Sequence, residues 1–88
     1  MDITFDPAKD DSNQRKHGVA LSLAKLIDWS EVMAKPDTRR DYGEVREIGY
    51  AVIERRLYCV VFTQRRDSMH IISLRKANSR EVKHYVEA

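Results

Sequence analysis

Apolar positions are sparse over the first twenty residues and dense from Ile48 onward, and this change of rhythm sets the expected elements. Ile3-Thr4-Phe5 reads as a short strand stopped by Asp6-Pro7. Asp6 is placed to cap a helix, because its carboxylate can accept the free amide hydrogens of the first turn. Pro7 suits the first helical position, where no donor is needed. The helix should run to about His17, with Gly18 as its left-handed stop. Apart from Ala8 it is almost wholly polar (Lys9, Asp10, Asp11, Ser12, Asn13, Gln14, Arg15, Lys16). So small an apolar face implies a helix held by its ends or by a partner rather than by core burial. A second helix is expected from Leu21 or Ser22 to about Trp29-Ser30, with Leu23, Ala24, Leu26 and Ile27 as its apolar stripe.

Val32-Met33-Ala34 is a candidate strand before a polar, turn-rich loop, residues 35–43, that reads as mobile. Three strands then follow through short turns: 46–53, 57–63 and 69–75. They form an antiparallel meander. The middle one is apolar on both faces (Tyr58, Val60, Phe62 against Leu57, Cys59, Val61), so it should be central and covered on each side. Asn78-Ser79 starts a last helix, and Glu81 can complete a capping box with Asn78. Val82, Tyr85 and Val86 share one face and are expected to dock on the sheet, with Arg80 and His84 turned away. The expected fold is α+β: residues 1–88 as a single compact domain, an antiparallel β-sheet with two N-terminal helices and one C-terminal helix. A chain of 88 residues is too short to divide its core.

Charge changes the picture more than composition does. The net charge is +2, but residues 1–44 carry seven Lys/Arg against nine Asp/Glu, and residues 45–88 carry nine against five. A basic back half suits an anionic ligand or a protein partner that masks it, although a merely solvated surface looks the same. The lone Cys59 sits in an apolar strand and reads as a small core residue. No apolar run is long enough to span a membrane and no signal-peptide pattern is present, so a soluble, cytoplasmic protein without membrane contact is expected. His17, His70 and His84 lack the paired spacing of metal ligands, and no metal or cofactor is expected.

The candidate chemistry lies in the last third. Arg65, Arg66, Arg75 and Lys76 bracket two strands beside hydroxyls and His70, which suits a phosphate-bearing ligand such as RNA. His17 and His70 are the groups whose ordinary pKa lies near neutrality. Each has a plainer use: Arg75 can pair with Glu81, Arg65 can be a turn residue, His17 can cap a helix end, and Tyr85 can pack in the core.

Phe5-Asp6-Pro7-Ala8-Lys9, then Asn13 followed by Lys16-His17-Gly18, resembles the opening of BrnT-type toxins. Arg46-x-x-Gly49, Val60-Val61-Phe62-Thr63-x-Arg65, Ile71-Ile72-Ser73-x-Arg75-Lys76-Ala77 and Arg80-Glu81 with Tyr85 extend the resemblance over essentially the whole chain. His70 departs from it, standing where many relatives carry Arg. The resemblance implies a RelE-like fold and the toxin of a type II toxin–antitoxin system, which cleaves RNA, inhibits translation and arrests growth. It also implies a BrnA-type antitoxin that binds operator DNA and represses the operon. RNA, whether or not ribosome-associated, would be the substrate and its own 2′-hydroxyl the nucleophile, so cleavage would be metal-independent. On this reading Arg65 and Arg75 clamp the scissile phosphate with Lys76 in support. His70, His17 and Tyr85 are the acid–base candidates, and Arg66, Arg80 and Lys16 add RNA contacts. The antitoxin would cover the basic sheet edge around Arg65 and Arg75. The competing readings are an inactive partner module acting as co-repressor, and an RNA-binding protein that does not cut.

Overall fold

The computed structural model describes residues 2–87, so the ends of the expected domain, Met1 and Ala88, lie outside the described residues. The order is β1 (Asp2–Thr4), α1 (Pro7–His17), 3₁₀ segments Leu21–Leu26 and Trp29–Glu31, β2 (Met33–Pro36), β3 (Glu47–Ile53), β4 (Arg56–Arg65), β5 (Ser68–Lys76) and α2 (Ser79–Glu87). The strands form one sheet in the order β1-β5-β4-β3-β2. The fold is α+β as expected. The sheet, however, is mixed, because β1 pairs in parallel with β5 while the other neighbours are antiparallel.

Asp6 and Gly18 end α1 as the sequence requires: Asp6 accepts from Ala8 N at 2.9 Å, and Gly18 has φ 68°. The polar helix is fastened by polar side chains. Buried Asn13 donates to the carbonyls of Val19 and Leu74, each at 2.8 Å, and its Oδ1 accepts from Leu74 N at 3.2 Å. Its amide thus satisfies both backbone groups of Leu74, as a neighbouring strand would. The Asp10 carboxylate accepts from Leu21 N at 2.8 Å.

The expected second α-helix is a 3₁₀ segment instead. Its fully buried residues are Leu21 and Ala24, and Ile27 follows close behind. That spacing of three stacks side chains on one face of a three-residue turn. Leu26, assigned to the apolar stripe, is 56% exposed. The 3₁₀ segments and α1 cover one sheet face, where Val60, Phe62, Ile71 and Leu74 are almost completely buried. Trp29 meets Phe62 edge-on, ring centroids 4.9 Å apart. Gly49 pairs with Val60 on this face, and glycine is needed there because any Cβ would sit 2.7 Å from a Val32 methyl.

The loop read as mobile is pinned. Asp37 extends the β2–β3 pairing through its N–H to Arg46 O (2.7 Å), and its buried carboxylate receives Arg39 Nε and Nη2 (both 2.8 Å) and Tyr42 OH (3.0 Å).

Candidate functional site

The other sheet face carries the polar chemistry. Cross-strand partners point to the same side of a sheet, so the register sorts the side chains into rows. One row is Met33, Tyr50, Cys59 and Arg75; the next is Lys35, Ile48, Val61 and Ser73. The third brings together Thr63, His70 and Thr4, and beyond it Arg65 pairs with Ser68.

This grouping depends on an irregularity between Val61 and Phe62. Ser73 pairs with Val61 and Ile71 with Phe62, leaving Ile72 as an extra residue. His70 and Arg75 are five positions apart and would lie on opposite faces of a regular strand. The bulge brings both to one face. Nothing in the apolar pattern of 69–75 reveals it.

The Arg75 guanidinium makes a bidentate pair with Glu81, Nη1 to Oε1 at 2.7 Å and Nη2 to Oε2 at 2.9 Å. Glu81 also accepts from Tyr50 OH at 2.8 Å and completes a reciprocal capping box with Asn78. These bonds, led by that from Arg75, hold the Glu81 carboxyl down at about 2, and burial with the Glu81 contact pushes the Tyr50 phenol up. Burial likewise raises the Cys59 thiol, in keeping with a core residue.

The pair with Glu81 sets the rotation of α2, so Glu81 and Tyr85 turn toward the sheet. Val82 and Val86, expected to dock, remain 40% and 75% exposed. Arg80 and His84 line a cavity of about 240 Å³ between α2 and β2–β3, together with Tyr85, Met33, Lys35 and Tyr50.

His70 Nδ1 lies 2.8 Å from Thr4 Oγ1. Burial and then the charge of Arg65 lower its pKa, with Glu44 and Asp6 opposing, so the imidazole is neutral at pH 7. Arg65 is half-exposed and only loosely paired with Glu44 at 3.4 Å.

The remaining expected residues scatter. Arg65 and Arg75 stand at opposite ends of the face: Arg65 pairs with Ser68, seven residues from Arg75, or roughly 23 Å of strand. They are not brought to one phosphate. Lys76 shares its row with Tyr58 on the helix-covered face, in a groove with Lys25, and so diverges from Arg75. His17 ends α1, its pKa lowered by burial and then by Lys16 and Arg75. Lys16 and Arg66 are exposed, on the last turn of α1 and in the β4–β5 turn.

Sequence reasoning missed Lys35, Tyr50 and Arg39. Lys35 and Arg39 sit in a stretch that reads as loop, and Tyr50 reads as core. Arg46, whose guanidinium lies 4.1 Å from the Tyr42 ring centroid, was visible only as part of a motif. Around this face Lys35, Arg39, Arg46, Arg65, Arg75 and Arg80 outnumber Asp6, Asp37, Glu44 and Glu81. Such an excess attracts an anionic polymer.

The family model described as the ribonuclease toxin BrnT of type II toxin–antitoxin systems matches residues 5–81. Among solved structures, the Brucella abortus ribonuclease toxin BrnT, known from a 1.1 Å crystal structure, superposes with a TM-score of 0.71 at 19% identity. The match covers 90% of this chain and 99% of that one. At that identity the likeness speaks for the fold. Comparison with curated proteins gives no match.

Proposed function

Since the chain belongs to the BrnT family of ribonuclease toxins of type II toxin–antitoxin systems, we propose that it binds and cuts RNA on the open sheet face. The observation that carries this reading is the half-buried His70, hydrogen-bonded to Thr4 and one side-chain row from the lightly engaged Arg65; burial lowers its pKa and so favours the neutral ring. If Nδ1–H is donated to Thr4 Oγ1, Nε2 keeps a lone pair for the 2′-hydroxyl proton. The hydroxyl oxygen then attacks the adjacent phosphorus, the bond to the 5′-oxygen breaks, and that oxygen takes up a proton. Arg65 stabilises the charge that builds on the phosphoryl oxygens, since its planar fork matches two of them. Arg75, engaged by Glu81, acts farther along the RNA with Arg80. Lys16 and Arg66 extend the basic surface. Lys76, His17 and Tyr85 lie outside the bond-breaking step on this reading.

Metal independence follows from the internal nucleophile and belongs to the proposal. So do arrest of translation and growth, neutralisation by a BrnA-type antitoxin that covers this face, action in the cytoplasm, and use of ribosome-associated RNA. The test is cleavage of labelled RNA in EDTA by antitoxin-free protein, beside His70→Gln and Arg65→Ala variants of unchanged stability. Cleavage by the parent and loss in both variants is expected. Full cleavage by both variants would overturn the assignment, and binding without cleavage by the parent would favour an RNA-binding role.

A further inference from the structure

The cavity between α2 and the β2–β3 edge has the chemistry of a nucleotide site. Its walls are flat and apolar: the Tyr50 and Tyr85 rings and Met33, which is 53% exposed. Its rim carries two cations, Lys35 on β2 and Arg80 on α2, with the His84 ring beside them. The acid at its floor is already spent. Glu81 Oε1 accepts from Arg75 Nη1 and Asn78 N, and Oε2 accepts from Arg75 Nη2 and Tyr50 OH. All four acceptor positions of the carboxylate are filled, and the Arg75 charge offsets its own. Lys35 and Arg80 therefore leave the cavity net positive.

Aromatic surface beside uncompensated cations is the combination that holds a base by stacking and its phosphate by charge. The Tyr50 hydroxyl is tied to Glu81, which fixes the ring before any ligand arrives. A volume of about 240 Å³ is compact, below the range of drug-sized pockets (about 300–1,000 Å³). It suits a single ring system better than the long groove a partner helix needs.

We propose that this cavity is a nucleobase pocket that takes one unstacked base of the RNA against Tyr50, Tyr85 and Met33, with Lys35 and Arg80 on the flanking phosphates. The assignment of RNA rests on the ribonuclease reading above; the pocket itself can be measured without cleavage. Since His70 lies at the other end of the face, the captured base is not the one at the scissile bond. The pocket thus chooses where along the strand the cut falls.

The experiment titrates isotope-labelled protein with adenosine 3′,5′-bisphosphate, with uridine 3′,5′-bisphosphate and with inorganic phosphate. The resonances of Tyr50, Tyr85, Met33 and His84 are followed by NMR. Saturable shifts of these residues with a nucleotide are expected, at least tenfold tighter than with inorganic phosphate. Tyr85→Leu should weaken nucleotide binding about 5- to 150-fold, and the exposed Lys35→Ala should weaken it while leaving stability unchanged. Equal affinity for inorganic phosphate would overturn the base pocket. So would shifts confined to His70 and Arg65, or no shift at millimolar nucleotide, an outcome that would turn the cavity toward a protein partner. Because no cleavage is required, an inactive protein that still binds nucleotide sinks only the ribonuclease reading. An active protein with a silent cavity sinks only the pocket.

Discussion

Replacing Asn13 by Ala should destabilise the protein more than any other single change on α1. The side chain makes three buried hydrogen bonds to backbone, to Val19 O, Leu74 O and Leu74 N. Each contributes about 1 kcal/mol net, and groups left buried without partners add about 1–3 kcal/mol more. The expected loss is about 4–6 kcal/mol. For a chain of this size the whole stability is roughly 4–13 kcal/mol, and each kcal/mol shifts Tm by about 4–8 °C. A fall of roughly 15–50 °C follows. Asn13→Asp should do comparable damage, since a carboxylate can offer neither donor to the two carbonyls. Urea unfolding followed by Trp29 fluorescence is a suitable assay, because that indole packs on Phe62 in the core. Lys9→Ala and Asp11→Ala, exposed on the same helix, are controls expected within about 0.5 kcal/mol of the parent. A loss below about 1 kcal/mol for Asn13→Ala would refute the view that one amide fastens the helix to the sheet.

The β3–β4 turn holds Glu54 and Arg55 at φ 48° and 70°, so Glu54→Asn with Arg55→Gly should stabilise by about 1 kcal/mol, read as a raised urea midpoint. The Glu81 carboxyl lies at about 2 in the folded state against an ordinary 4.5. Its stabilisation, about 1–2 kcal/mol once solvent screening is allowed for, is complete above pH 4.5 and lost as pH falls toward 2. The stability gap between parent and Glu81→Gln should therefore close as pH falls from about 4.5 through 2; a constant gap contradicts the pairing. His70, with its pKa lowered below 6.5, should keep cleavage active into mildly acidic solution, and His70→Gln should reduce it about 10²- to 10⁴-fold. An acidic limb centred above pH 6.5 would exclude it as the base. Gly49→Ala should cost about 1–3 kcal/mol through overpacking against Val32, visible in thermal unfolding.

The local chemistry of helix ends was legible: Asp6-Pro7, Gly18 and the Asn78/Glu81 box stand where capping requires them. The central strand was legible too, since Tyr58–Thr63 is buried along nearly its whole length. What escaped was set by contacts remote in sequence. Leu21, Ala24 and Ile27 fit a 3₁₀ period as well as an α-helical one until the sheet beneath is known. The parallel partner of β1 could not be read from three residues. The loop after β2 looked mobile because its composition is polar, yet one buried carboxylate, Asp37, gathers Arg39 and Tyr42. For the site, the residue types were visible but not their facing. Arg75 and Lys76 are adjacent and point to opposite sides, whereas His70 and Arg75 share a side because of one inserted residue.

That inserted residue, Ile72, also shapes the surface it completes. A bulge sharpens the right-handed twist of its strand, so the His70 end and the Arg75 end of the face are turned relative to one another. A stiff A-form duplex presents its phosphates along a fixed helical path and cannot follow such a saddle, while an unpaired strand can bend across it. If RNA binds this face as proposed, the added twist would favour a flexible, unpaired strand over a base-paired one.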